Sequence, residues 1–141
     1  MIQILHVNDL NPSVCHEAWV VMRTRKYMKP GYYHVPELSP SWDLFSTYQQ
    51  LYKSGRWNRE VFDSIYLPRF LEEMKTKEAR SYLNYLWKQD KAGVIVQIGC
   101  SCQDETMCHR SIVGGLLEGV GANVCYTTGN SYKHYYDMYK L

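Results

Sequence analysis

Side chains that can take part in chemistry are concentrated in one short segment of this 141-residue chain, residues 100–110. Thiolates and imidazoles bind metals or act as nucleophiles and bases. The guanidinium of an arginine matches phosphate and carboxylate groups. The segment therefore predicts a functional site made of three cysteines, two acids, a histidine and an arginine: Cys100, Cys102, Asp104, Glu105, Cys108, His109 and Arg110.

The residues on either side of this segment predict that it joins a strand to a helix. Residues 94–98 are almost all apolar, and residues 112–120 place apolar side chains at helical spacing. In parallel sheets, ligands bind beyond the carboxyl ends of the strands, where helix N-termini attract anions. With Arg110 in the first helical turn, the segment predicts a phosphate site. The alternative is that Arg110 only pairs with Asp104 or Glu105 and ties the loop together.

The spacing Cys-x-Cys-x5-Cys-His also permits a tetrahedral zinc site. Against zinc, all four ligands come from one short loop, and consecutive helical residues such as Cys108 and His109 point about 100° apart. We therefore expect no bound metal and no cofactor. Two other interpretations stay open. A helix N-terminus beside an arginine can activate a thiol, and Cys100 and Cys108 can simply be small buried packing residues.

The rest of the chain supplies strands and helices that could position this segment. Its last strand, helix and strand form a βαβ unit, which is parallel and right-handed by the usual crossover rule. Residues 29–41 contain three prolines and a glycine and predict a long irregular loop. A helix from Ser41 to Lys53 and two helices capped by Asn58 and Thr76 follow, and Pro68 should kink or break the second helix. We predict one domain over residues 1–141, a three-layer Rossmann-like α/β fold with a mostly parallel sheet and extra helices inserted between residues 41 and 90.

Composition limits the classes of partner. The net charge of +2 gives no general preference for nucleic acid. No signal-peptide pattern and no apolar run of about 20 residues is present, so we expect no membrane association. Five cysteines, three of them within nine positions, indicate a reducing compartment, and we expect a cytoplasmic protein. Tyrosines of residues 132–139 share a helix face that could stack on a base but is more typical of packing against the domain or a second subunit.

Residues 94–117 resemble the family called domain of unknown function 488, which has a strand, a cysteine, a polar loop and Cys-His-Arg opening an apolar helix. Its Cys-x7-Cys-His-Arg spacing is present here. Residues 38–42, with Phe62 and Tyr66 downstream, are similar to the middle region of the family, and Arg23 resembles its strand-end arginine. The resemblance covers most of the chain. It implies a Rossmann-like sheet and a nucleotide-type ligand, but no established reaction.

Cys102 departs from this pattern, which usually has an acidic residue there. Cys-Ser-Cys is closer to the Cys-x-Cys loop of another family, domain of unknown function 4326, which continues with Cys-His-Gly.

These observations predict the binding of a small phosphorylated, nucleotide-like ligand at the carboxyl edge of the sheet, for sensing or sequestering a signalling nucleotide. Phosphate would contact Arg110 and the amides of residues 108–110, and tyrosine or tryptophan would cover the base. One alternative is an enzyme acting on nucleotides or nucleic acid through a cysteine or histidine, and another is a zinc-stabilised interaction domain. Nucleic acid itself is a less favoured partner, and self-association is left open. The predicted ligand-binding residues are Arg23, Cys100, Cys102, Asp104, Glu105, Cys108, His109 and Arg110.

Overall fold

The computed structural model describes residues 1–141, which form a five-stranded sheet and six α-helices. All paired strands are parallel, in the order β3-β2-β4-β1-β5. The predicted α/β class with a parallel sheet is confirmed. The strands are β1 (Ile2–His6), β2 (Glu17–Val20), β3 (Tyr32–His34), β4 (Val96–Cys100) and β5 (Val124–Tyr126).

Three strands differ from their predicted positions. The sequence predicts strands at the apolar runs 19–23 and 94–98, but β2 lies two to three residues earlier and β4 two residues later, so Cys100 is the last residue of β4 and Arg23 lies three residues beyond β2. The predicted loop at residues 29–41 contains β3, which pairs with β2. This loop prediction was wrong because three paired residues between a glycine and a proline carry too little periodicity to indicate a strand.

Three of the six helices begin directly after a residue whose side chain caps them. The helices are α1 (Trp42–Lys53), α2 (Arg59–Val61), α3 (Leu67–Glu73), α4 (Lys77–Lys91), α5 (His109–Gly119) and α6 (His134–Tyr139). Side-chain oxygens of Ser41, Asn58 and Thr76 accept hydrogen bonds from backbone amides three residues later. Pro68 does not break the chain of helical turns. It lies in the first turn of α3, where no amide donor is needed, directly after a π-helical segment at Phe62–Tyr66.

The two faces of the sheet are covered differently. Successive strand residues point to opposite faces. Ile98 belongs to the large core shared with the helices, whereas its neighbour Gly99 lies against Leu10 on the other face. Leu10 and Val20 form a small second cluster there, under the 3-10 turns of residues 7–14. The expected third layer therefore consists of turns and loops, and the α-helices pack on one face.

The C-terminal tyrosines pack against the domain, as the sequence favoured. Tyr132 and Tyr135 are buried, and α6 lies along α5. A Cβ atom added at Gly115 would collide with the carbonyl of Tyr132, and one at Gly119 would collide with the side chain of Tyr136. Glycine is therefore required on this face of α5 for the C-terminal segment to approach. None of the helices combines the length and the apolar character that crossing a bilayer would require.

Candidate functional site

The cysteine-rich segment folds back on itself between β4 and α5. Cys100 ends β4, a short 3-10 turn occupies Glu105–Met107, and Cys108 is the N-cap residue of α5. The loop returns so closely that the Sγ atoms of Cys100 and Cys108 lie 3.0 Å apart. Cys100 is fully buried and Cys108 is 1% exposed, whereas Cys102 is half-buried. The end of a strand and the start of a helix thus bring together two thiols that are eight residues apart.

His109 completes a compact group that we call the thiol cluster: Cys100, Cys102, Cys108 and His109. One sulfur or ring nitrogen from each residue lies within 4.8 Å of all the others. The expectation that Cys108 and His109 point apart was wrong. Cys108 has an extended backbone, with φ −131° and ψ 146°, so the two residues are not consecutive helical positions, and Cys108 Sγ lies 3.8 Å from His109 Nδ1.

A hydrogen bond to a backbone carbonyl fixes the orientation of His109. Its Nε2 lies 2.7 Å from the carbonyl oxygen of Val21, which can only accept a hydrogen bond, so Nε2 carries a proton. In the neutral imidazole, Nδ1 then has a free lone pair that faces the thiols. The buried ring also packs at a tilt against Phe70, with the ring centroids 5.8 Å apart. The imidazole is held as an acceptor or ligand toward the cluster.

Arg110 is directed at the sulfurs and not at either nearby acid. It is 3% exposed, and its Nη1 donates to the carbonyl of Cys102 at 2.8 Å. The same atom lies 3.2 Å from the sulfur of Cys100 and 3.6 Å from that of Cys108. The Nε atom of Arg110 is buried without a hydrogen-bond partner. The alternative in which Arg110 ties the loop by pairing with Asp104 or Glu105 is therefore wrong.

The charges around Cys100 favour its ionised form. Burial raises the pKa of this thiol, but hydrogen bonds from Cys102 and Cys108 and the positive charge of Arg110 lower it well below its usual range. The hydrogen bond to Cys100 raises the pKa of Cys102, and burial raises that of Cys108. One negative charge centred on Cys100 is thus stabilised beside the guanidinium.

The two acids of the segment have structural roles. Asp104 accepts hydrogen bonds from the amide and hydroxyl of Thr106, which caps the 3-10 turn. The buried carboxylate of Glu105 accepts from the amide and hydroxyl of Thr127 and from the hydroxyls of Thr128 and Tyr132. Burial raises the pKa of Glu105, but these hydrogen bonds lower it below its ordinary value overall. Neither acid contacts the thiol cluster, and Glu105 anchors the loop to the segment after β5.

A cavity of about 490 Å³ opens above the thiol cluster. Cys100, Cys102 and His109 line one side of it. Arg23 lines it as well, held by hydrogen bonds from Nε to the carbonyl of Pro40 at 2.6 Å and from Nη2 to that of Ser39. Five aromatic rings, which we call the aromatic wall, also line this cavity: Phe45, Tyr48, Tyr52, Trp57 and Tyr66. Arg23 therefore shares one cavity with three members of the thiol cluster, Cys100, Cys102 and His109.

The rings of the aromatic wall hold one another in place. Trp57 meets Tyr48 edge to face at 4.7 Å and Tyr66 at 5.6 Å. Burial, followed by the negative charge of the nearby thiols, raises the pKa of Tyr48 to about 12 and that of Tyr66 well above its usual value. Both phenols therefore remain protonated donors facing the cavity at neutral pH.

Sequence reasoning missed the aromatic wall as part of the site. Its members on α1 repeat at positions 45, 48 and 52, a helical spacing that is equally typical of a core-facing stripe. The available signal was the number of aromatic side chains, because α1 and the turns after it carry more of them than one buried stripe needs.

A separate polar cavity of about 540 Å³ lies on the other side of the loop, where Asp104, Glu105, Arg110, Thr127 and Thr128 line it.

Comparison with known proteins gives one family. The family model DUF488-N3a, described as the active DUF488-N3 subclade, matches residues 9–121. No curated protein and no solved structure matches the chain. The likeness to domain of unknown function 4326 stays a prediction. The matched residues include Arg23, the aromatic wall, the thiol cluster and Arg110, so the family resemblance extends over the whole site. The chain belongs to the DUF488 family, in its active N3 subclade.

Proposed function

We propose that the protein binds a nucleotide-like ligand in the cavity, with the base against the aromatic wall and the reactive part of the molecule beside the thiol cluster. The observation that carries this proposal is that five aromatic rings, two thiols and an imidazole line one cavity. A volume of about 490 Å³ suits a small-molecule ligand, since such sites commonly measure about 300–1,000 Å³.

Stacking supports a planar ring as the part that is bound. Aromatic side chains stack on any nucleobase, and each such contact contributes about 1–3 kcal/mol. Tyr48 and Tyr66 can in addition donate hydrogen bonds to ring acceptors, because their phenols stay protonated. Trp57 keeps its orientation through its edge-to-face contacts, so little side-chain entropy is lost when a base stacks against it.

We assign the phosphate of this ligand to Arg23 and not to Arg110. Arg110 is buried and its Nη1 is engaged by Cys100, Cys102 and Cys108. Arg23 is half-buried, lines the cavity and keeps Nη1 free of hydrogen bonds within the protein. A planar guanidinium fixed by two backbone carbonyls is preorganised for an anionic group.

The test is a titration with purine and pyrimidine nucleoside monophosphates, followed by tryptophan fluorescence and calorimetry. Tyr52→Ala removes a wall ring that is 64% exposed, and Tyr33→Ala removes a ring of similar exposure, 55%, outside the cavity. We expect Tyr52→Ala to weaken binding roughly 5- to 150-fold, the equivalent of one stacking contact, and Tyr33→Ala to leave it unchanged. The absence of binding to every monophosphate, or equal loss in both variants, would contradict the proposal.

The family description favours a second candidate, an enzyme that transforms the bound ligand. The subclade is described as active, and Cys100, Cys102 and His109 line the cavity where a ligand would react. Incubation with the same monophosphates, denaturation and mass spectrometry would separate the two. Intact ligand in equimolar amount supports capture. Products in many-fold excess over protein, reduced in Cys102→Ser but not in Cys125→Ser, support the enzyme.

A further inference from the structure

We propose that Cys100, Cys102, Cys108 and His109 bind one zinc ion. This inference goes beyond ligand binding in the cavity and rests on different observations. Three thiols and one imidazole are the ligand set of a common structural zinc site. In this protein they come from a strand end, a loop and a helix start that meet at one point.

The distances between the four ligand atoms are close to those of a zinc tetrahedron. Zinc–sulfur bonds of 2.3 Å and zinc–nitrogen bonds of 2.0–2.1 Å place neighbouring ligand atoms about 3.5–3.8 Å apart. The sulfur of Cys108 lies 3.8 Å from Nδ1 of His109 and 3.0 Å from the sulfur of Cys100, and no separation within the group exceeds 4.8 Å. Movements of about 1 Å would complete tetrahedral coordination.

The surroundings of His109 are those of a metal-binding histidine. Ligand histidines usually donate the proton of their second ring nitrogen to a carboxylate or a backbone carbonyl, which fixes the ring and its tautomer. His109 does this through Nε2 and the carbonyl of Val21 at 2.7 Å. The lone pair of Nδ1 is thereby directed toward the three sulfurs. A histidine that was buried only for packing would not need an unprotonated Nδ1 facing three thiols.

Arg110 supplies the charge that such a site needs. Three thiolates and a neutral imidazole around Zn²⁺ carry one net negative charge. A buried charge of this kind is stable only beside an opposite charge. Arg110 is 3% exposed, forms no ion pair with a carboxylate, and directs Nη1 at the sulfurs of Cys100 and Cys108. A guanidinium buried among sulfurs and a backbone carbonyl therefore fits a zinc–thiolate complex of net charge −1.

The arrangement also leaves a path for the ion. Cys102 is half-buried and lines the cavity, so a metal can enter from that side, whereas the buried Cys108 does not line the cavity. Zinc held in this way would fix the loop after β4 against α5 and so fix one side of the cavity. With four protein ligands, no thiol of the cluster would remain free as a nucleophile.

The experiment uses the full chain carrying Cys15→Ser and Cys125→Ser, which keeps only the three cysteines of the cluster. The reduced, metal-free protein is titrated with Zn²⁺ and separately with Co²⁺, without any nucleotide. We expect about one zinc per chain, and a cobalt spectrum with thiolate charge-transfer absorption and the intense visible bands of tetrahedral coordination. Adding Cys102→Ser should weaken binding by more than the roughly 10- to 100-fold that loss of an outer-shell partner causes.

Failure to bind Zn²⁺ or Co²⁺, an octahedral cobalt spectrum without thiolate bands, or unchanged affinity in Cys102→Ser would overturn the proposal. Circular dichroism checks the fold of each variant. If Cys102→Ser does not fold, the cobalt spectrum of the parent protein decides, because its charge-transfer intensity reports how many thiolates bind. Zinc should also protect all three cysteines from iodoacetamide, and rapid alkylation of the zinc-loaded protein would contradict the site. Because no nucleotide is present, these outcomes do not depend on the proposed function.

Discussion

The two sides of the cavity are built in opposite ways. On the thiol-cluster side, buried groups are joined by short polar contacts, and Arg110 alone reaches two sulfurs and one carbonyl. The aromatic wall consists of rings that contact one another, edge to face at Trp57 and stacked or tilted along α1, and its outer member Tyr52 is largely exposed. Loss of a group on the first side leaves buried polar atoms without partners, which is costly, whereas loss of an exposed ring mainly removes contact surface. The first side should therefore determine stability and the second should determine affinity.

The largest expected effect tests the thiol-cluster side. Arg110→Ala removes a buried cation and leaves the carbonyl of Cys102 and two sulfurs without their donor. We expect a loss of about 3–5 kcal/mol in the free energy of unfolding, as when one partner of a buried charged contact is removed. Urea denaturation of the reduced protein measures it, with the exposed Arg56→Ala as the control. A loss below about 1 kcal/mol would show that the two sides do not differ in this respect.

An intermediate effect is expected at the carboxylate that anchors the same loop. Glu105→Gln weakens charge-assisted hydrogen bonds from Thr127, Thr128 and Tyr132, and we expect a loss of about 1.5–3 kcal/mol at neutral pH. Folding lowers the pKa of Glu105, so its charge stabilises the protein above the unfolded-state pKa of about 4.3.

This contribution is lost as the pH falls through the still lower folded-state pKa. The unfolding free energies of wild type and Glu105→Gln should therefore converge in acid. The exposed Glu60→Gln serves as the control and should show no such convergence. A difference between wild type and Glu105→Gln that is constant with pH would mean that the charge of Glu105 is not what holds the loop.

The smallest effect on stability is expected in the aromatic wall. Tyr52→Ala should change the free energy of unfolding by no more than about 0.5 kcal/mol, because the ring is 64% exposed and makes only a tilted contact with Tyr48. The same urea experiment measures it beside Arg110→Ala. If Tyr52→Ala lowers stability as much as Glu105→Gln does, the wall is part of the structural core and the contrast between the sides is lost.

The two sides also differ in how much of them could be predicted from sequence. The thiol cluster comes from ten consecutive positions, so its residues and its place between strand and helix could be read locally. That these side chains meet at one point could not be predicted, because their meeting depends on the extended backbone of the N-cap residue Cys108. The aromatic wall is assembled from α1, the loop after it and the π-helical segment, and only tertiary packing brings those rings into the cavity at the end of β4. Capping residues such as Asn58 and Thr76 marked the helix starts because their hydrogen bonds are local.

One hydrogen bond described above joins the two sites that we propose. The carbonyl of Val21 accepts the proton of His109, and Arg23 follows two residues later in the chain. An ion on Nδ1 of His109 and a phosphate on Arg23 would therefore act on opposite ends of the same short stretch of backbone. Such effects are reciprocal at equilibrium. By whatever factor zinc changes the affinity for the nucleotide, the nucleotide must change the affinity for zinc by the same factor.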